Sequence, residues 1–192
     1  MKMKKIPFHL ALIFLSFLAV GARAHETTTS VIPNLRQVSA DLWRGGLPGA
    51  AGIKELAELK IQTVLNVQST NSEIRAERIA ARKYGIRFIS IQLAPLFFKP
   101  SHKRMEQVLS VLLSASGSTL FVHCRHGEDR TGFAVGLYRV FVQGWTPDAA
   151  YAEMLERGFH PDLERGLKCA FDQKTGRPVD AICELIPEYE PD

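Results

Sequence analysis

Residues 119–123, Thr-Leu-Phe-Val-His, form a short run with almost no polar interruption. A strand that met solvent on one side would alternate apolar and polar residues. One without alternation is buried on both faces, as in a parallel sheet covered by helices on either side. The run leads into a polar loop containing Gly127 and then into an apolar, helical stretch from Thr131 to Val142. Strand, loop and helix in this order begin a βαβ unit, and this constrains the fold more than any other segment.

The rest of the chain alternates in the same way. Residues 38–43 read as a short strand, and the turn Arg44-Gly45-Gly46-Leu47-Pro48-Gly49 opens a helix to about Leu59. Residues 61–67 and 86–91 are β-rich and predict strands. Between them Asn71 or Ser72 caps a helix in which Ile74, Ile79 and Ala80 roughly follow a 3.6 period, and Gly85 ends it. After a loop at 94–100, Ser101 caps a helix through Met105, Val108, Leu109, Val111 and Leu112, and Thr146-Pro147 starts another. The expected architecture is α/β: a single domain with a central, mostly parallel sheet flanked by helices, without internal repeat or linker.

The net charge of +4 suggests an acidic partner until the excess is located. Lys2, Lys4, Lys5 and Arg23 fall in residues 1–24, which hold no acid, so the remaining chain is neutral and no nucleic-acid partner is implied. The same residues combine a basic start, an apolar stretch at 6–20 and Ala22-Arg23-Ala24 before His25. This pattern predicts a secretory signal peptide cut after Ala24. The stretch, interrupted by His9, falls short of the roughly 20 residues a spanning helix needs. Residues 25–192 are thus expected to form the mature domain, periplasmic or secreted, with no stable membrane insertion.

Export changes the reading of the three cysteines, because an oxidising compartment favours pairing and an odd number leaves one over. Cys169 and Cys183 flank the turn-like Lys174-Thr175-Gly176-Arg177-Pro178. They could close a short loop or be small buried apolar residues. In the first case Cys124 is the free thiol.

Cys124 opens the most informative stretch, His123-Cys124-Arg125-His126-Gly127-Glu128-Asp129-Arg130-Thr131-Gly132. Ligands of α/β sheets bind at the carboxyl ends of strands, and a helix amino terminus offers unpaired N–H groups to an anion. A cysteine facing that positive field is expected to have a lowered pKa and to act as a thiolate nucleophile. Arg130 can fold back to bind two phosphate oxygens through its planar fork.

Cys124, five intervening residues, Arg130 and Thr131, preceded by His123, resemble the Cys-x5-Arg-Ser/Thr signature of the cysteine-dependent protein tyrosine and dual-specificity phosphatase superfamily. Asn34-Leu35-Arg36-Gln37-Val38 and Leu42-Trp43-Arg44-Gly45-Gly46-Leu47-Pro48 are similar to the opening of small bacterial and plant/fungal atypical dual-specificity phosphatases. The resemblance implies that Cys124 attacks phosphorus to give a phosphocysteine. Arg130 would bind the phosphoryl oxygens, and Thr131 would donate its hydroxyl to the sulfur. His123 would hold the loop backbone from behind, and Gly127 would permit the bend. Neither a metal nor another cofactor is required for that chemistry.

The general acid departs from the family pattern. The superfamily usually places an Asp on a mobile loop some 30 residues before the cysteine, yet residues 78–105 contain neither Asp nor Glu. Asp129 stands where the myotubularin and Sac-type phosphoinositide phosphatases are thought to supply their acid, and it is the expected donor, with Glu128 and His102 as competitors. Either loop carboxylate could instead fix the loop through Arg36 or Arg44.

Arg125 and His126 within the loop, with Lys99 and His102 on the neighbouring segment, imply several cations around the phosphate. That set, with Glu128 and Gly127 lining the loop, suits an inositol polyphosphate or another multiply phosphorylated small molecule. A phosphotyrosine protein, with Phe97 and Phe98 as a wall, is the competing substrate. A phosphate-binding module without turnover is the non-enzymatic alternative.

Overall fold

The computed structural model describes residues 30–68, 71–94, 98–114 and 117–189. The expected signal peptide, like Phe97 of the proposed aromatic wall, lies outside them. In chain order the elements are β1 (Arg36–Gln37), β2 (Leu42–Gly45), α1 (Gly49–Glu58), β3 (Thr63–Asn66), α2 (Asn71–Lys83), β4 (Arg87–Ser90), β5 (Lys99–Pro100), α3 (His102–Ser114), β6 (Leu120–His123), α4 (Asp129–Phe141), α5 (Pro147–Glu156), α6 (Arg165–Thr175) and β7 (Glu188–Tyr189), with a 3-10 turn at Ala181–Leu185.

The main sheet has the order β1-β2-β6-β3-β4. All its pairings are parallel except that of β1 with β2 at one edge. β6 is central, and each of its residues is buried, as the unbroken apolar run requires. Ile53 and Leu56 of α1 and Ala81 of α2 pack with Val64 and Phe121 on one face. The other face is the larger core, in which Leu65, Leu120 and Val122 meet Val108 and Leu112 of α3, Phe133 and Leu137 of α4, Met154 of α5 and Phe171 of α6. Among the described residues no helix is long and apolar enough to cross a membrane.

The first strand differs from the sequence-based expectation at 38–43. The chain pairs at Arg36–Gln37, turns, and pairs again at Leu42–Gly45. The turn is closed by Val38 N–H donating to the Leu42 carbonyl at 2.8 Å and by Leu42 N–H donating to Ser39 Oγ at 3.2 Å. The α5 start is as expected: Thr146 Oγ accepts the Ala149 N–H, with Pro147 at the first helical position.

Cys169 of α6 and Cys183 of the 3-10 turn are joined by a disulfide, and both are buried. The bridge ties the last helix to the C-terminal segment, whose β7 pairs with β5. Closing a loop with a sequence separation of 14 removes about 3 kcal/mol of denatured-state entropy. Replacing both cysteines by Ala is therefore expected to lower Tm by about 6–12 °C in a thermal melt.

Candidate active site

β2, β6 and β3 end level with one another, since His123 is in register with both Gly45 and Asn66. Residues 124–128 then cross the carboxyl end of the sheet before α4 begins at Asp129, two residues earlier than the sequence suggests. The loop is held from its outer side through its carbonyls. Cys124 O lies 3.1 Å from His123 Nδ1, and Arg125 O accepts the Leu47 N–H at 2.9 Å. Asn34 Nδ2 donates to His126 O at 3.0 Å, and the buried Arg44 donates through Nη2 to Gly127 O at 2.8 Å.

With those successive carbonyls turned outward, the peptide planes aim their N–H groups at the inner side. Among the described residues, none of the amides of Arg125, His126, Gly127 and Glu128 donates to a protein acceptor. Together with the amino terminus of α4 they make a ring of donors for an anion. Cys124, 5% exposed, is the free cysteine at the base of this ring.

Gly127 has φ +83, and a Cβ there would lie 2.4 Å from the Gly45 carbonyl carbon. The loop can therefore sit this close to β2 only with glycine. Behind it, His123 is fully buried, with Nε2 2.6 Å from Glu77 of α2. Glu77 also accepts from Asn66 Nδ2 at 2.8 Å, and Asn66 Oδ1 accepts the Gln68 N–H at 2.9 Å. The loop's base is thus fixed to α2 and β3.

Thr131 is buried, but its hydroxyl is directed to the Gly45 carbonyl at 3.5 Å rather than to the sulfur. Arg125 is exposed and reaches Glu73 at 3.5 Å, and His126 is exposed beside it. The two basic residues of the neighbouring segment have partners of their own. Lys99 Nζ donates to Gln173 of α6 at 3.4 Å, and His102 pairs with Glu106 at 3.6 Å on its own helix.

The two loop carboxylates fix the loop, though not through Arg36 or Arg44. Glu128 Oε1 accepts from Asn34 Nδ2 at 3.3 Å and packs against Gly158. Asp129 Oδ1 accepts the His160 N–H at 2.8 Å and lies 3.1 Å from His160 Nδ1. Glu128, Asp129 and His160 are also the one group among the described residues whose ligand atoms cluster within 4.8 Å.

Arg130 Nε donates to the Ala94 carbonyl at 3.2 Å, and its Nη2 lies 4.0 Å from Glu164 Oε1. Glu164 is a residue that sequence reasoning missed. It caps α6 without bonding the helix amides through its side chain, and only 6% of that side chain is exposed. Burial pushes its carboxyl up to about 7; Arg130 opposes the shift, Asp129 adds to it, and His160 opposes it. Glu73 and Glu77 were missed as well, since they reach the loop across space from α2.

A parallel sheet whose central strand ends in a Cys-x5-Arg loop at a helix amino terminus defines the protein tyrosine and dual-specificity phosphatase fold. Within that class, the model of the family described as "DSP-PTPase phosphatase fused to NAD+ Kinase" matches residues 17–165, and the chain belongs to this family. It is 32% identical over 156 residues to the "Dual specificity protein phosphatase TpbA" of Pseudomonas aeruginosa (strain UCBPP-PA14), covering 78% of this chain and 65% of that protein. The "Inositol diphosphatase DSP1" of Oryza sativa subsp. japonica is 24% identical, with 62% of this chain and 54% of that protein covered. The chain thus spans less than two thirds of the length of these relatives. Among solved structures, P. aeruginosa TpbA in complex with pTyr superimposes with a TM-score of 0.58 and 28% identity, covering 77% of this chain and 85% of that one.

Proposed function

We propose that this chain is an exported phosphatase that hydrolyses phosphate monoesters through a phosphocysteine, acting on inositol polyphosphates or another multiply phosphorylated small molecule. The observation that carries the reading is the outward anchoring of the carbonyls of residues 124–127, which leaves amide donors converging over Cys124. Such donors stabilise the charge of the transferring phosphoryl group, and their fixed positions remove the cost of reorganising them. Cys124 is the nucleophile, and Arg130 clamps the equatorial oxygens. Thr131, buried at the start of α4, eases the departure of the sulfur, and His123 with Glu77 keeps the loop in register.

The exposed Arg125 and His126 beside the loop give a polyphosphate further hydrogen-bond donors, and a relative carries the name inositol diphosphatase. A phosphotyrosine protein is the second reading, supported by the TpbA likeness and by Phe98, which is 39% exposed with its ring 5.8 Å from that of Tyr189. Export is supported by residues 1–24 and by the Cys169–Cys183 disulfide, a bond that persists in oxidising compartments.

The test starts with protein recovered from a periplasmic extract, expected to begin at His25. Phosphate release is then followed from inositol hexakisphosphate and from a phosphotyrosine peptide, each beside Cys124→Ser. Cys124-dependent release mainly from the inositol is the expected result. Release mainly from the peptide moves the assignment to a protein phosphatase, silence on both leaves a binding module, and cytoplasmic retention with Met1 intact overturns export.

A further inference from the structure

We propose that Glu164 is the proton donor to the leaving-group oxygen, taking the place of the acid that segment 93–100 lacks; the proposal rests on the phosphatase reading above. Three structural observations converge on it. First, the amino terminus of α6 is packed directly against that segment: a Cβ on Gly166 would lie 2.0 Å from the Phe98 carbonyl oxygen. Second, Arg130 joins the two, bonding Ala94 through Nε and approaching Glu164 through Nη2. Glu164 therefore lies beside the arginine assigned above to the phosphate, where α6 meets Phe98. Third, Glu164 Oε2 is buried and has no hydrogen-bond partner among the described residues. An ionised carboxylate oxygen would be costly in that position, whereas a protonated one needs only an incoming acceptor.

Asp129 is less well placed for the task, because its Oδ1 already receives the His160 N–H. The charged groups facing Glu164 are Arg130 and Asp129 from α4 and His160 from the α5–α6 connection. On α6 itself, Lys168 is engaged by Asp172 and Asp180, and Lys99 of β5 by Gln173. A bound phosphate dianion neutralises Arg130 and adds negative charge nearby. Both effects favour the protonated carboxyl, so the acid form prevails in the substrate complex.

The chemical step balances as follows. The Cys124 sulfur forms a bond to phosphorus, the bond from phosphorus to the ester oxygen breaks, and that oxygen keeps the electron pair and takes the proton from Glu164. In the second half a water oxygen attacks phosphorus, its proton returns to Glu164, and the thiolate leaves.

The experiment compares phenyl phosphate, whose leaving group needs protonation, with 2,4-dinitrophenyl phosphate, whose leaving group does not. Glu164→Gln is expected to slow the phenyl ester about 10²–10⁴-fold and the dinitrophenyl ester less than about threefold. It is also expected to remove an alkaline fall in kcat/KM centred near the carboxyl's value of about 7. Equal slowing of both esters, or an alkaline limb that survives, overturns the donor role and leaves Glu164 as a positioning residue for Arg130. A leaving-group-dependent loss in Asp129→Asn instead assigns the proton to Asp129. No Cys124-dependent turnover of either ester overturns the phosphatase reading and the donor role with it. A second measurement, the carboxyl titration of Glu164 by 13C NMR, does not need activity: an upward shift on adding inorganic phosphate is expected, and titration in the ordinary carboxylate range, unmoved by phosphate, overturns the proposal.

Discussion

Cys124→Ser is expected to lower phosphate release by roughly 10⁴-fold or more while leaving anion binding intact, as losses on removing other enzymes' nucleophiles suggest. The substitution exchanges sulfur for oxygen in a site that is 5% exposed and changes little else. A serine hydroxyl is a far weaker nucleophile than a cysteine sulfur, and none of the described residues hydrogen-bonds as a base to this position. The carbonyl anchors come from His123, Leu47, Asn34 and Arg44, none of which depends on the Cys124 sulfur. Inorganic phosphate should therefore bind the variant as well as the parent. Steady-state kinetics and calorimetric titration check the two halves separately. Activity within tenfold of the parent would remove Cys124 as nucleophile, and loss of phosphate binding would mean that the sulfur, rather than the outer anchors, holds the loop.

What could be read from the sequence follows the range of the forces involved. β6 was legible because a strand covered on both faces is almost wholly apolar, β3 because residues 61–67 are β-rich, and the 124–130 loop because its spacing is local. The edge was not: residues 38–43 look β-rich, but Ser39 offers a side-chain acceptor that closes a turn, and pairing moves to either side of it. Part of the inward face of α6 is ionic. Asp172, fully buried, receives Lys168 at 2.9 Å and Arg177 at 2.6 Å. The partners of Lys99 and His102, Gln173 of α6 and Glu106 of α3, could not be read either, since nearness in sequence does not set where a side chain finds its partner. Glu164 was invisible for the converse reason. It comes from well beyond the loop, in a segment with no motif, and only the packing of α6 on Phe98 brings it to Arg130. The two cysteines could be paired on paper but not decided between bridge and burial, and the structure gives them both.

Gly127→Ala is expected to reduce kcat about 10²–10³-fold and to destabilise the fold by about 2–6 kcal/mol. Two independent costs set the stability term. At φ +83 an alanine occupies a region that costs about 1–3 kcal/mol for a residue with a Cβ. The added Cβ also meets Gly45 C at 2.4 Å, Gly45 O at 2.6 Å and Gly46 N at 2.6 Å, all main-chain atoms that cannot rotate away. Relieving such overlap in a packed site costs about 1–3 kcal/mol more. Relief means moving the loop off β2, and the loop moves as a unit, because Arg44 holds the Gly127 carbonyl while Asn34 and Leu47 hold its neighbours. Amides that converge on one point in the parent then diverge, and losing even one oxyanion donor costs about 10²–10³ in rate. In a thermal melt the variant should lose about 4–24 °C, and phosphate, which stabilises the parent by binding its folded form, should raise the variant's Tm little. The contrast with Cys124→Ser is diagnostic: one variant keeps the cradle and lacks the nucleophile, whereas the other keeps the nucleophile and lacks the cradle. If Gly127→Ala melted near the parent and turned over at the parental rate, the close approach of the loop to Gly45 would have no part in shaping the anion site.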